Sequence, residues 1–148
     1  MDKVEEEKSR IDFGVDLGEA PRAEDWGSWE QSRTRSFAIA GPFTIGDGKL
    51  GSVANLVMEL KCSRTATGCE GSWAFSMEER IGPWRIERGQ GTGYLTGTGG
   101  DVLSFPMPQF GHACGTRRHQ WSGSLTKDQF EAIKGFRAGS NDLPVRRC

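Results

Sequence analysis

Cys62, Cys69, Cys114 and Cys148, with His112 and His119, are the side chains of this sequence best suited to chemistry. A thiol can oxidise to a bridge, ligate a soft metal as thiolate, or act as a nucleophile when a base activates it. Cys62 and Cys69 flank a loop between two expected strands, an arrangement that would set them opposite each other within bridging reach. Cys114 and Cys148 could then pair and tie down the C-terminal strand, and the even number of thiols agrees with such a framework. Free thiols are a second reading. The third is a zinc site drawn from Cys62, Cys69, His112, Cys114 and His119, although Cys-x6-Cys is wider than the usual zinc knuckle. His112-Ala113-Cys114 would also allow a thiolate–imidazolium pair, because residues two apart share a strand face. No orienting acid or oxyanion donor accompanies it. Glu78-Glu79 makes a poor acid–base pair, since neighbours on a strand face opposite sides, and both are expected in solvent.

Phosphate-binding loops can be tested directly. A dinucleotide fingerprint needs G-x-G-x-x-G leading into a helix. Counting from Gly91 the sixth residue is Thr96, counting from Gly89 it is Tyr94, and nothing helical follows. Gly48-Lys49 lacks the glycine five residues upstream that a P-loop requires. No cofactor is expected.

Two surface features suit macromolecular contact. The first is a basic patch of Arg117 and Arg118 near Trp121, together with Arg146 and Arg147. Arginine beside an aromatic fits phosphate with base stacking, and a basic face equally receives an acidic peptide. The second is the N-terminal stretch. Residues 1–36 carry ten acids and six bases, a net of −4, and residues 37–148 carry ten and thirteen, a net of +3. Within this stretch Trp26 and Trp29 stand among Glu24, Asp25 and Glu30, as an aromatic anchor flanked by charge would. A solvated tail is the bland reading. The total charge of −1 names no partner.

The elements that must position these residues read as short strands. Phe37 and Ile39, then Phe43 and Ile45, alternate around a break at Gly41-Pro42, and Gly46 to Lys49 is a turn. In Val53 to Cys62, Leu56, Met58 and Leu60 share one face and Val57 the other. Trp73, Phe75 and Met77 alternate, as do Trp84 and Ile86. The six glycines of residues 89–100 suggest a bent or bulged strand. Val102 to Phe105 is stopped or pushed to an edge by Pro106 and Pro108. Trp121 to Leu125 is a further strand, and Leu143-Pro144-Val145 leads a terminal edge strand. Thr126 and Gln129 form a capping box, with Phe130, Ile133 and Phe136 on one side and Gly139 as stop, so a helix is predicted at about 127–138. The predicted core includes Trp73, Phe75, Trp84, Ile86, Phe105, Trp121, Phe130 and Ile133.

These elements predict a mainly β fold, a β-sandwich or small barrel with one short C-terminal helix, with α+β as the alternative. The expected organisation is a charged arm over 1–35 and one β-rich domain over 36–148. No apolar run approaches the ~20 residues that span a bilayer, so no membrane partner is expected. The acidic start has no export signal, which slightly favours the cytoplasm or an assembly over secretion and leaves the localisation open. The leading functional expectation is a non-enzymatic protein-binding or assembly module. It would dock on another protein, or on copies of itself, through the arm and the sheet edges; nucleic acid is the secondary partner. The alternatives are an exported, disulfide-stapled β-domain, and a small zinc-bearing domain or Cys-dependent enzyme.

Overall fold

A computed structural model describes residues 6–16, 33–66 and 68–148. Along the chain run β1 (Lys8–Asp16), β2 (Arg33–Ile39), β3 (Phe43–Thr44), β4 (Gly51–Thr65), β5 (Gly68–Ile81), β6 (Trp84–Ile86), β7 (Gly91–Gly97), β8 (Gly100–Met107), β9 (Gly115–Leu125), α1 (Lys127–Ala132) and β10 (Gly135–Arg147). One antiparallel sheet has the order β1-β10-β7-β8, with β6 also on β10. The other has the order β2-β4-β5-β9, with β3 also on β4. The fold is mainly β, as the alternation of apolar residues predicts, and the sheets do not close into a barrel.

The sheets meet through aromatic side chains. Phe75 of β5 lies 4.3 Å, ring to ring, from Phe136 of β10. Trp73 of β5 lies 4.5 Å from Phe105 of β8. Glycine makes room for one of these rings: a Cβ on Gly93 would collide with Phe105. Trp73, Phe75, Ile86, Phe105, Phe130 and Ile133 are buried as predicted, while Trp84 and Trp121 are half-buried against the core.

In β4 the expected faces are found, with Leu56, Met58 and Leu60 buried and Val57 on the outside, 42% exposed. A bulge between Ala54 and Val57, with Asn55 at φ +53°, lets Val53 face inward as well. The glycine-rich segment is a bulged hairpin, β7 and β8, with its irregularity between Leu95 and Thr96.

Four expectations are corrected. The stretch 1–35 is not wholly an arm outside the domain. Lys8–Asp16 is a strand paired with β10, and Ile11 and Phe13 lie in the core. Its charges hid an alternation in which Ile11 and Phe13 face inward between Arg10, Asp12 and Gly14. The domain therefore does not begin at residue 36. The helix is shorter than 127–138, because Ile133 is already extended and Lys134 N–H donates to Thr96 O at 2.8 Å. Phe136, Arg137 and Gly139, expected at its C-terminal end, belong to β10. The expected terminal edge at Leu143–Val145 is not one either, since Leu143 and Pro144 pair with β1 and Val145 to Arg147 with β6. Lastly, Glu79 is fully buried rather than solvated.

Candidate functional site

The fold brings Glu79, His112, His119, Cys114 and Cys148 to one end of the sheet pair, where β8 passes to β9 and β10 ends, while Cys62 and Cys69 lie at the other end of β5. Inward residues of β5 run Trp73, Phe75, Met77, Glu79 and Ile81, so Glu79 occupies a core position. Its Oε2 accepts a hydrogen bond from Gly111 N–H at 2.7 Å. Its Oε1 lies 2.8 Å from His119 Nε2 on β9, off the line of a good hydrogen bond. The His119 ring stacks on Trp121, with centroids 5.4 Å apart and planes within 5°. Gly111 O in turn accepts from Ile86 N–H at 2.8 Å, and His112 Nε2 sits 2.7 Å from Gly89 O. The Glu79–His119 pair thus pins the 108–114 connection. With side chains 8% and 0% exposed, it presents no face to a substrate.

The cysteines pair as the spacing suggested. Cys62 and Cys69 sit near the turn between β4 and β5 with Cα atoms 5.5 Å apart, and Cys114 and Cys148 lie 5.8 Å apart. Both pairs stand at disulfide distance. The alternative zinc set is not assembled. The four thiols face one another in pairs, His112 is on Gly89 O and His119 on Glu79. Among the described residues no group of three or more potential ligands converges. The Cys114–His112 nucleophile is likewise lost, because Cys114 faces Cys148.

The residues of the expected basic patch are divided between two strands. Arg117, Arg118 and Trp121 lie on β9, within a strand that begins six residues before the expected Trp121. Arg117 stands opposite Glu79 and Arg118 opposite Glu78 across the β5–β9 ladder. Arg146 and Arg147 end β10, opposite Arg85 and Trp84. The Arg147 guanidinium lies 5.0 Å from the Trp84 ring centroid and Lys49 Nζ 5.6 Å. These two cations lie against Trp84, whereas the Trp121 ring expected to stack on bases packs on His119. The Cys114–Cys148 pair draws the two halves toward one end.

Trp26, Trp29, Glu24, Asp25 and Glu30 lie outside the described residues.

Three charged groups missed by the sequence reading hold the frame. Arg35 is buried on β2 and donates through Nη1 to Phe130 O at 2.9 Å and Ile133 O at 2.7 Å, binding α1 to the second sheet. Burial pushes its pKa down. Arg137 grips Asp101 with two hydrogen bonds, of 3.1 and 2.7 Å, over the Tyr94 ring, and the Asp101 bond raises its pKa. Asp47 accepts from Lys49 N–H and Ser9 Oγ, each at 2.9 Å; the Lys49 amide is the main cause of its lowered pKa.

Two open clefts lie among the described residues. One of about 360 Å³ lies between Asp16, Thr96 and Lys134. The other, about 350 Å³, is edged by Arg10, Asp47 and Asp142. Neither contains a cysteine or histidine.

Comparison with protein-family models, curated proteins and solved structures finds no match to this chain. Among the described residues no helix is long and apolar enough to cross a membrane. What the geometry does offer is a sheet edge. β9 pairs with β5 on one side, and along its other side no described backbone group is bonded to it.

Proposed function

We propose that this protein is a non-enzymatic binding or assembly module that docks on another protein or on copies of itself through its sheet edges and the Trp26–Trp29 segment. The observation carrying this reading is the eleven-residue β9 edge, largely exposed and open along one side among the described residues. Unpaired strand groups are a template for an added strand, with main-chain bonds giving affinity and alternate side chains giving specificity. The basic residues on β9 and β10 add charge that would steer an acidic partner. Trp26 and Trp29, between Glu24, Asp25 and Glu30, have the composition of an anchor.

The test is affinity capture from the native source with the wild-type chain and with a Trp26→Ala/Trp29→Ala variant, alongside circular dichroism of both. A partner held by the wild type and lost from an equally folded variant supports the reading. A wild-type chain that neither captures a partner nor self-associates overturns it.

A disulfide-stapled β-domain working in an oxidising compartment is the second reading, supported by the two cysteine pairs at disulfide distance. Thiol alkylation of protein from its native source, without reductant, tests it. Unlabelled cysteines support the stapled domain, and four labelled cysteines overturn it.

A further inference from the structure

We propose that the β9 edge is completed by an extended acidic segment of another protein, added antiparallel so that two adjacent carboxylates meet Arg117 and Arg118. This rests on the assembly reading above and names the partner's chemistry.

Two independent observations select this occupant. The first is the backbone. Every second residue of β9 turns its N–H and C=O away from β5, and among the described residues nothing bonds them. Such an edge presents donors and acceptors in alternation. Another polypeptide strand matches both, whereas a phosphate backbone offers acceptors only and leaves the β9 carbonyls unmatched. Pro106 interrupts the edge at β8, and outside β1 Gly46 N–H already donates to Asp12 O at 2.9 Å.

The second observation is uncompensated charge. β9 contains two arginines and no acid. Arg117 and Arg118 are exposed, and among the described residues neither closes an ion pair. Arg80 of β5 stands beside them, opposite Thr116, and is exposed as well. Glu79 is buried on Gly111 N–H and His119, which leaves Glu78 as the one carboxylate of the β5–β9 ladder set against three arginines. An acidic strand supplies the missing charge, and opposite charges across a ladder are stabilising where like charges are not.

Strand geometry sets the motif. Arg117, His119 and Trp121 lie in line with Glu79, Met77 and Phe75 on the core side, and Arg118, Gln120 and Ser122 lie on the outer side. Two adjacent acids on the partner therefore point one to each arginine. Trp121 is half-buried, 6.0 Å ring to ring from Phe105, so an apolar residue opposite it covers the part still open to solvent.

The probe is a short, dye-labelled synthetic peptide of threonine, with valines set to face His119 and Trp121 and two adjacent glutamates set to face Arg118 and Arg117. Binding to the full-length protein is read by fluorescence anisotropy. The peptide should bind, and its counterpart with lysines for glutamates should not. Arg117→Gln/Arg118→Gln should weaken binding by about 2- to 25-fold, the combined range for two cross-strand ion pairs. Circular dichroism checks that this variant folds. Two further peptides, N-methylated at the odd or at the even residues, keep every charge but lose alternate donors. One frame should abolish binding to the wild type and the other should preserve it, because only alternate amides of an added strand face β9. That comparison needs no variant of the protein.

A glutamate peptide that does not bind overturns the acidic strand. So does binding that survives methylation in both frames or ignores the arginine substitutions, and so does an oligothymidylate that displaces the peptide from the same arginines and binds them more tightly. If native capture still finds a partner in those cases, the assembly reading stands and only its occupant has failed.

Discussion

Glu79 shows how one side chain anchors a connection. Its carboxylate is fully buried, takes the Gly111 N–H and faces His119. A buried donor left without its partner costs about 1–3 kcal/mol. Glu79→Ala should lose at least that much in urea denaturation, and Glu79→Gln, which keeps an acceptor for Gly111, should lose less. Asp47 carries a pH signature. Its folded pKa is depressed below 3.8, chiefly by the Lys49 N–H. The charged form is thus the stabilised one. Its contribution is present above that ordinary value and is lost as the pH falls through the folded value. Asp47→Asn retains the acceptor but not the charge. The variant should be less stable than the wild type at neutral pH, by a small margin at so exposed a site, and the two curves should converge as the pH drops below 3.8. Equal stability of the two proteins at neutral pH would mean that the charge at 47 contributes nothing.

Among the elements, α1 shows how little helix a strong cap can specify. Thr126 Oγ1 accepts from Gln129 N–H at 3.1 Å, and Gln129 Oε1 accepts from Thr126 N–H at 2.9 Å, a complete capping box. The helix nevertheless ends after six residues, at Ala132. Its function is to seat Phe130, with Ile133 at its C-cap, in the core while Arg35 holds its carbonyls. Thr126→Ala should cost about 0.5–2 kcal/mol, read as a lower melting temperature. An unchanged melting curve would show that packing and Arg35 hold the helix without its cap.

At the scale of the whole molecule, stability depends on closing the sheets from both ends of the chain. β1 and β10 pair with each other, and Ile11 and Phe13 enter the common core. Burying these two side chains contributes about 1.5–3 kcal/mol each, against a total stability of about 5–15 kcal/mol for a typical domain. Deleting residues 1–16 removes β1 alone and strips β10 of one neighbour. It should abolish the cooperative unfolding transition, and a truncated chain that melts like the full-length protein would refute this account of β1. The cysteine pairs act on the same scale. Constraint of the unfolded chain grows with the loop enclosed. The Cys114–Cys148 pair, 34 residues apart in sequence, should contribute about 4 kcal/mol, and the Cys62–Cys69 pair, seven apart, about 2. Replacing Cys114 and Cys148 by serine should therefore lower the urea midpoint more than replacing Cys62 and Cys69.

Much of this was legible in the sequence. Period-two alternation in Trp73-x-Phe75-x-Met77 and in Leu56-x-Met58-x-Leu60 determined strands and their buried faces, because one side of each sheet must leave water. Thr126 and Gln129 determined where the helix starts, since its first amides need local acceptors. The loop between Cys62 and Cys69 determined a pairing that two adjacent strands can reach. The same alternation, carried on to Glu79, held the signal for its burial, which the charge of the side chain masked. Other features depended on contacts distant in sequence. Phe130, Ile133 and Phe136 fit a helical face, yet Phe136 became a strand residue because β1 and β7 supply ladders on both sides of it. Ile11 and Phe13 gave too short a pattern among charges to declare a strand until β10 paired with it. The partner of Glu79, the capture of α1 by Arg35 across 95 residues and the openness of β9 were decided only by tertiary structure. A side chain's environment, and whether an edge is covered, depend on which distant segments arrive beside it.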